Sequence, residues 1–144
     1  TTGVGLVEVY DLDQAASSRL ANISTRGFVE SGDSVMIGGF ILGGGNGAGK
    51  VVVRVLGPSL SQVGITGALT DPSLELYDAS GMLMAKNDDW KATQQAEIQA
   101  AGLAPTNDRE SAIVATLPSG NYTAVVKGVN GGTGVGLIEV YNLQ

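Results

Sequence analysis

Runs rich in Val, Ile, Leu and Tyr alternate along this chain with glycine-bearing polar stretches, the pattern of short strands joined by turns. The runs predict strands at Val4–Tyr10, Leu20–Thr25, Ser34–Leu42, Val51–Leu56, Leu74–Asp78, Leu83–Lys86, Ser111–Leu117, Tyr122–Val129 and Val135–Tyr141. Ala79-Ser80-Gly81 stands where a hairpin needs a turn. Pro118-Ser119-Gly120 pairs a fixed φ with a residue that accepts positive φ, and Asn130-Gly131-Gly132 serves the same purpose before the last strand. Helical spacing is confined to Trp90–Ala101, where Ala92, Ala96 and Ala100 lie four apart beside Ile98 and Gly102 offers a stop. The expected fold is all-β: an antiparallel jelly-roll-like β-sandwich with one short helix.

The two ends of the chain repeat each other. Thr2 to Leu12 reads TGVGLVEVYDL and Thr133 to Leu143 reads TGVGLIEVYNL, identical at nine of eleven positions and offset by 131 residues. A period this long belongs to arrays of whole domains, beyond the periods of solenoid repeats. The domain organisation expected is a terminal strand at 1–13, duplicated from a preceding repeat, followed by a sandwich unit at 14–144. Two uses of the head strand stay open. It is the tail of the preceding unit in a tandem array, or it docks non-covalently on a sheet edge, in cis or in a neighbouring molecule. The assembly strands are then Val4, Leu6, Val7, Glu8, Val9 and Tyr10, with Val135, Leu137, Ile138, Glu139, Val140 and Tyr141 as their counterparts. Burial of Val4, Leu6, Val7, Val9 and Tyr10, at about 1.5–3 kcal/mol each, would exceed the ordering cost of so short a segment.

Composition narrows the classes. A chain of 144 residues suits one domain with a real core. Hydrophobic residues make up 43% and charged ones 15%, which argues against disorder. A net charge of −6 disfavours nucleic acid and anionic membranes, which select clustered Lys and Arg. With neither His nor Cys there is no Ser–His–Asp triad, no Cys–His pair, no Cys/His zinc site and no disulfide. No run of about 18 apolar residues is present to span a bilayer as a helix. The first residues, Thr1-Thr2-Gly3, are read as a processed start or a piece of a longer protein.

Leu74–Trp90 (LELYDASGMLMAKNDDW) and Ile113–Gly128 (IVATLPSGNYTAVVKG) resemble the pre-peptidase C-terminal domains, jelly-roll-like sandwiches carried by bacterial secreted peptidases. Leu20–Phe28, Val35–Leu42 and Gly57-Pro58-Ser59-Leu60 resemble a domain repeated in tandem in large bacterial surface or secreted proteins. The resemblance implies an extracellular or cell-surface location and a spacing, adhesive or assembling role. It does not specify an activity.

Four constellations bear on chemistry. Gly44 to Lys50 has the G-x-x-x-x-G-K spacing of a phosphate loop, but Val51 follows where a hydroxyl is needed and a strand follows where a helix is needed, so a flexible hairpin loop is expected. Asp78, Asn87, Asp88, Asp89, Asn107 and Asp108 fall on loops and supply hard oxygen ligands for Ca²⁺, which takes six to eight of them. The competing reading has Asp88 or Asp89 capping the helix and the asparagines holding turns. Glu8 and Glu139 lie in strands among apolar residues and need a basic partner such as Arg54 or Lys127, or a place at the rim. Trp90 is expected to pack the helix onto the sheet, and Tyr122 to anchor a corner.

The function expected is a non-enzymatic extracellular module whose partners are identical or homologous units. These would form a homopolymeric stalk or filament through tandem connection or exchanged terminal strands. The alternative is a carbohydrate- or protein-binding accessory module of a secreted bacterial protein.

Overall fold

The computed structural model describes residues 5–9, 21–43 and 47–143. Their runs of β-branched and aromatic residues form eight strands: β1 (Asn22–Val29), β2 (Met36–Leu42), β3 (Gly49–Leu56), β4 (Pro72–Asp78), β5 (Leu83–Asn87), β6 (Ser111–Leu117), β7 (Gly120–Gly128) and β8 (Gly134–Asn142). They build two antiparallel four-stranded sheets, ordered β1-β8-β3-β6 and β2-β7-β4-β5. That order is an antiparallel ribbon rolled over on itself, a jelly roll. Eight of the nine predicted strands lie where expected, with ends moved by at most four residues; the ninth, Val4–Tyr10, is a correction, since its described residues 5–9 form no strand.

Most turns cross from one sheet to the other. Pro118-Ser119 carries β6 into β7, and the Tyr122 hydroxyl donates to the Pro118 carbonyl at 2.8 Å, the corner anchor foreseen. Residues 43–48, read as a hairpin loop, join strands of different sheets, because β3 pairs with β6 and β8 rather than with β2. Asp78–Met82 is a true hairpin turn between β4 and β5.

Val29, Val51, Val53, Val55, Leu74, Leu76, Ile113, Ala124, Val126 and Ile138 fill the space between the sheets. A second core lies on the outer face of the first sheet. There Trp90 and Ile98 cover Val52, Ala112 and Val114, with Leu103 and Tyr141 at the margin. With both faces buried, β3 carries a nearly unbroken valine run instead of alternating.

The cover differs from its expected form. The helix α1 spans Gln95–Ala100, and Trp90 lies before it. Neither Asp88 nor Asp89 caps it; Gln94 is the N-cap residue and makes no side-chain cap bond. The Gln94 amide is committed elsewhere, donating to the Val114 carbonyl at 2.8 Å and accepting from the Val114 N–H at 3.0 Å. It thereby occupies the outer edge of β6 much as another strand would. Asn87 does the same one step along, accepting from the Ala112 N–H at 2.9 Å.

Glu110 anchors the cover from beneath. It is fully buried. Its carboxylate accepts from the Gly57 and Ser59 N–H groups at 3.0 and 2.9 Å, the Ser59 hydroxyl at 2.5 Å and the Asn107 N–H at 3.3 Å. The turn Gly57-Pro58-Ser59, which opens a 3-10 segment at Pro58–Val63, thus closes around an internal anion. Glu110→Gln replaces one acceptor by a donor facing donors. Urea unfolding of this variant is expected to show a loss of about 3 kcal/mol with the sandwich signal otherwise unchanged.

Candidate functional site

Every feature of the duplicated segment can be located through its C-terminal copy. β8 lies inside the first sheet, paired antiparallel with β1 on one side (Asn22↔Tyr141 to Val29↔Gly134) and with β3 on the other (Val51↔Asn142 to Leu56↔Leu137). The slot is central, where an edge position was expected. Its side chains divide by face. Ile138 and Val140 join the inter-sheet core, while Tyr141 joins the second core. Gly134 and Gly136 let other backbone approach, since a Cβ at Gly134 would lie 2.6 Å from the Leu69 nitrogen. Val135 fastens the start of the strand, its carbonyl accepting from Leu69 N–H at 2.9 Å and its N–H donating to the Gly67 carbonyl at 2.8 Å.

Glu139 is paired as the sequence demanded. Arg54 on β3 donates from Nε to the Glu139 carboxylate at 2.5 Å, from Nη1 to the Leu103 carbonyl at 2.8 Å and from Nη2 to the Tyr141 hydroxyl at 3.1 Å. Tyr141 in turn donates to Glu139 at 3.0 Å and stacks beneath the guanidinium, 5.2 Å from ring centre to Cζ. Burial first, and then the bond to Glu139, raises the Tyr141 phenol above its ordinary pKa. The cluster ties β8, β3 and the loop after α1 together at one margin of the second core.

The described part of the head copy, residues 5–9, is placed differently. Residues 5–9 belong to no strand, and Leu6, Val7 and Val9 are 83%, 87% and 59% exposed. The burial expected of these three is therefore not observed, for a physical reason: the position their sequence matches is filled by β8. Val4 and Tyr10 lie outside the described residues.

The six oxygen-bearing residues considered for Ca²⁺ are spread over separate roles. The Asp78 carboxylate accepts from the Ser80 and Met82 N–H groups at 2.8 and 2.9 Å and from the Ser80 hydroxyl, which lowers its pKa. Asn87, at the opposite end of the β4–β5 hairpin, donates to the Asp89 carbonyl and to the Thr93 hydroxyl. Asn107 accepts from the Arg109 N–H at 3.1 Å, and its carbonyl accepts from the Trp90 indole. Asp108 pairs with Lys91 at 2.6 Å on the surface. Asp88 has its pKa raised by burial and by the nearby charges of Asp71 and Asp89. Among the described residues no three acidic side chains converge as metal ligands.

On the open face of the second sheet, Glu75 binds Lys127 at 2.7 Å and Lys86 at 3.6 Å, and accepts from the Tyr77 hydroxyl at 2.7 Å. The bond to Lys127, followed by that to Tyr77, lowers its pKa. A shallow depression is lined by Pro58, Ser61, Ala68, Thr70, Asn107 and Arg109. Glu110 is the site residue that sequence reading passed over; a lone Glu between loop and strand carries no local sign that a distant turn will close on it.

With this geometry the class is defined: an antiparallel jelly-roll β-sandwich whose first sheet is covered on both faces. No family model matches the chain, and no curated protein matches it. Among solved structures it is similar to the pre-peptidase C-terminal domain of a collagenase from Bacillus anthracis. The identity is 17% and the TM-score 0.51, with 83% of this chain and 89% of that one covered. The likeness is one of fold, and it agrees with the resemblance carried by Leu74–Trp90 and Ile113–Gly128.

Two measurements follow from this site. Glu139→Gln leaves Arg54 without its counter-charge in a mostly buried position and is expected to cost about 3 kcal/mol in denaturant unfolding, whereas the double variant Arg54→Met/Glu139→Leu is expected to recover most of that loss. Because Asp78, Asn87, Asn107 and Asp108 among the candidate Ca²⁺ ligands are already engaged in turns and an ion pair, a chelator is expected to leave the melting midpoint unchanged, and a rise of several degrees on adding Ca²⁺ would restore the metal reading.

Proposed function

We propose that this domain is a non-catalytic structural unit of an extracellular or cell-surface bacterial protein, connected covalently to copies of itself. The observation that carries the proposal is the match between repeat and fold. The 131-residue offset spans one closed eight-strand sandwich plus its linker, and the extra segment at the head duplicates β8, the strand that closes such a sandwich. In an array the head segment is the closing strand of the preceding unit. Its apolar residues are exposed here because that unit's partner strands are not beside it.

Chain geometry supports this mode of connection. β1 begins beside the end of β8, with Asn22 paired to Tyr141 and the Asn142 N–H donating to the Ala21 carbonyl at 3.0 Å. The chain thus enters and leaves each unit at the same pole. Residues 13–21 separate the duplicated segment from β1; nine residues span at most about 32 Å. Successive units would hang from neighbouring points of a common path, unlike a rod in which the chain passes through each domain from pole to pole. Polymerisation by exchanged strands, the finer form of the expectation, would require the resident β8 to leave a central position.

A second reading draws on the solved neighbour, a domain of a collagenase: an accessory module of a secreted enzyme that binds carbohydrate or protein. Its surface would be the uncovered face of the second sheet around Tyr77 and Glu75.

Limited proteolysis of the native protein, followed with an antibody to the folded domain, separates the two. The array reading expects a ladder of fragments spaced by one 131-residue unit. A single band of one unit, or retention on a polysaccharide or collagen matrix that Tyr77→Ala abolishes, would favour the accessory module.

A further inference from the structure

The contacts that hold β8 are encoded twice. Gly5, Leu6, Val7, Glu8 and Val9 repeat Gly136, Leu137, Ile138, Glu139 and Val140 with one change, Val7 for Ile138. The head segment meets each requirement of the slot. Where a Cβ on Gly136 would lie 3.3 Å from the Val29 side chain, it supplies Gly5. Where Arg54 needs a carboxylate it supplies Glu8, and where the core needs a β-branched residue it supplies Val7. The single change has a location: a Cβ built on Gly38 would lie 2.8 Å from the Ile138 Cδ1, so this methyl fills the space above Gly38. Valine leaves that space empty, which favours β8 over the head segment by roughly two- to twelvefold.

Reach and direction also agree. In the slot the head segment would run parallel to the present β8 and return through residues 13–21 into β1, as an antiparallel ribbon needs. The start of β1 already lies beside the end of the slot.

We propose that the position between β1 and β3 is a strand-acceptor site with two occupants in the same chain: β8, which holds it in the intact domain, and the head segment, which takes it when β8 is withdrawn. The biological use rests on the array reading. A strand at a junction can close the unit before it or the unit after it but not both, so an array that loses the β8 of its last unit can keep every unit closed when each junction strand moves on by one and the head segment fills the first.

The test is a chain ended after Gly132, which lacks β8 and retains the head segment. Expected are a monomer, a single cooperative melting transition and Trp90 emission like that of the intact protein. In the shortened chain Val7→Ile should raise the folding equilibrium constant by two- to twelvefold, and Val7→Asp should abolish folding. In the intact chain Val7→Asp should leave the midpoint unmoved, since Val7 is 87% exposed. A shortened chain that has no transition, that folds regardless of Val7→Asp, or that folds only as a dimer overturns the proposal. None of these results touches the proteolytic ladder, so the array reading stands or falls separately.

Discussion

The pairing of β8 between β1 and β3 is the constraint from which the rest of the structure follows. It makes the last strand of the ribbon a central one, so the first sheet is incomplete until the end of the chain is in place. A central strand has both faces to account for. Toward the second sheet β8 presents Ile138 and Val140; toward the cover it presents Glu139 and Tyr141. The carboxylate among apolar neighbours is tolerable because Arg54 meets it within the same sheet and carries the interaction on to Leu103. Sheet, cover and closing strand are thus joined by one side-chain cluster instead of by disulfides, for which the chain has no cysteine.

The cover also manages an edge. A jelly roll leaves four edge strands, each a row of backbone groups ready to recruit another chain. On β6 those groups are met by side-chain amides, Gln94 at Val114 and Asn87 at Ala112. β1 and β2 lack such amides among the described residues and expose Phe28, Ile37 and Ile41. The β6 edge, beneath the second core, is therefore a protected one. The segment between β5 and β6 both buries the outer face of the sheet and blocks its lateral extension.

Much of this was legible in the order of residues. Strand positions, the Tyr122 corner and the need of Glu139 for a basic partner all follow from local pattern and from the cost of burying a lone charge. The alanine spacing at 92, 96 and 100 is helical in period, but the helix starts only at Gln95, because Thr93 is held by the Asn87 amide and Gln94 is committed to β6. Glu110 could not be found this way. Three of its four donors come from Gly57 and Ser59, more than fifty positions earlier, and only the closed sandwich brings them to it.

By itself, the amino-acid sequence determined that the chain is β-structured and that its closing strand is written twice, because side-chain period and self-identity are properties of the string. Tertiary structure alone decided which sheet each strand joins, that the duplicated strand belongs at the centre and not the edge, and that the chain begins and ends its fold at one pole. Those outcomes depend on long-range hydrogen-bond pairing and on which copy occupies a position that admits a single strand.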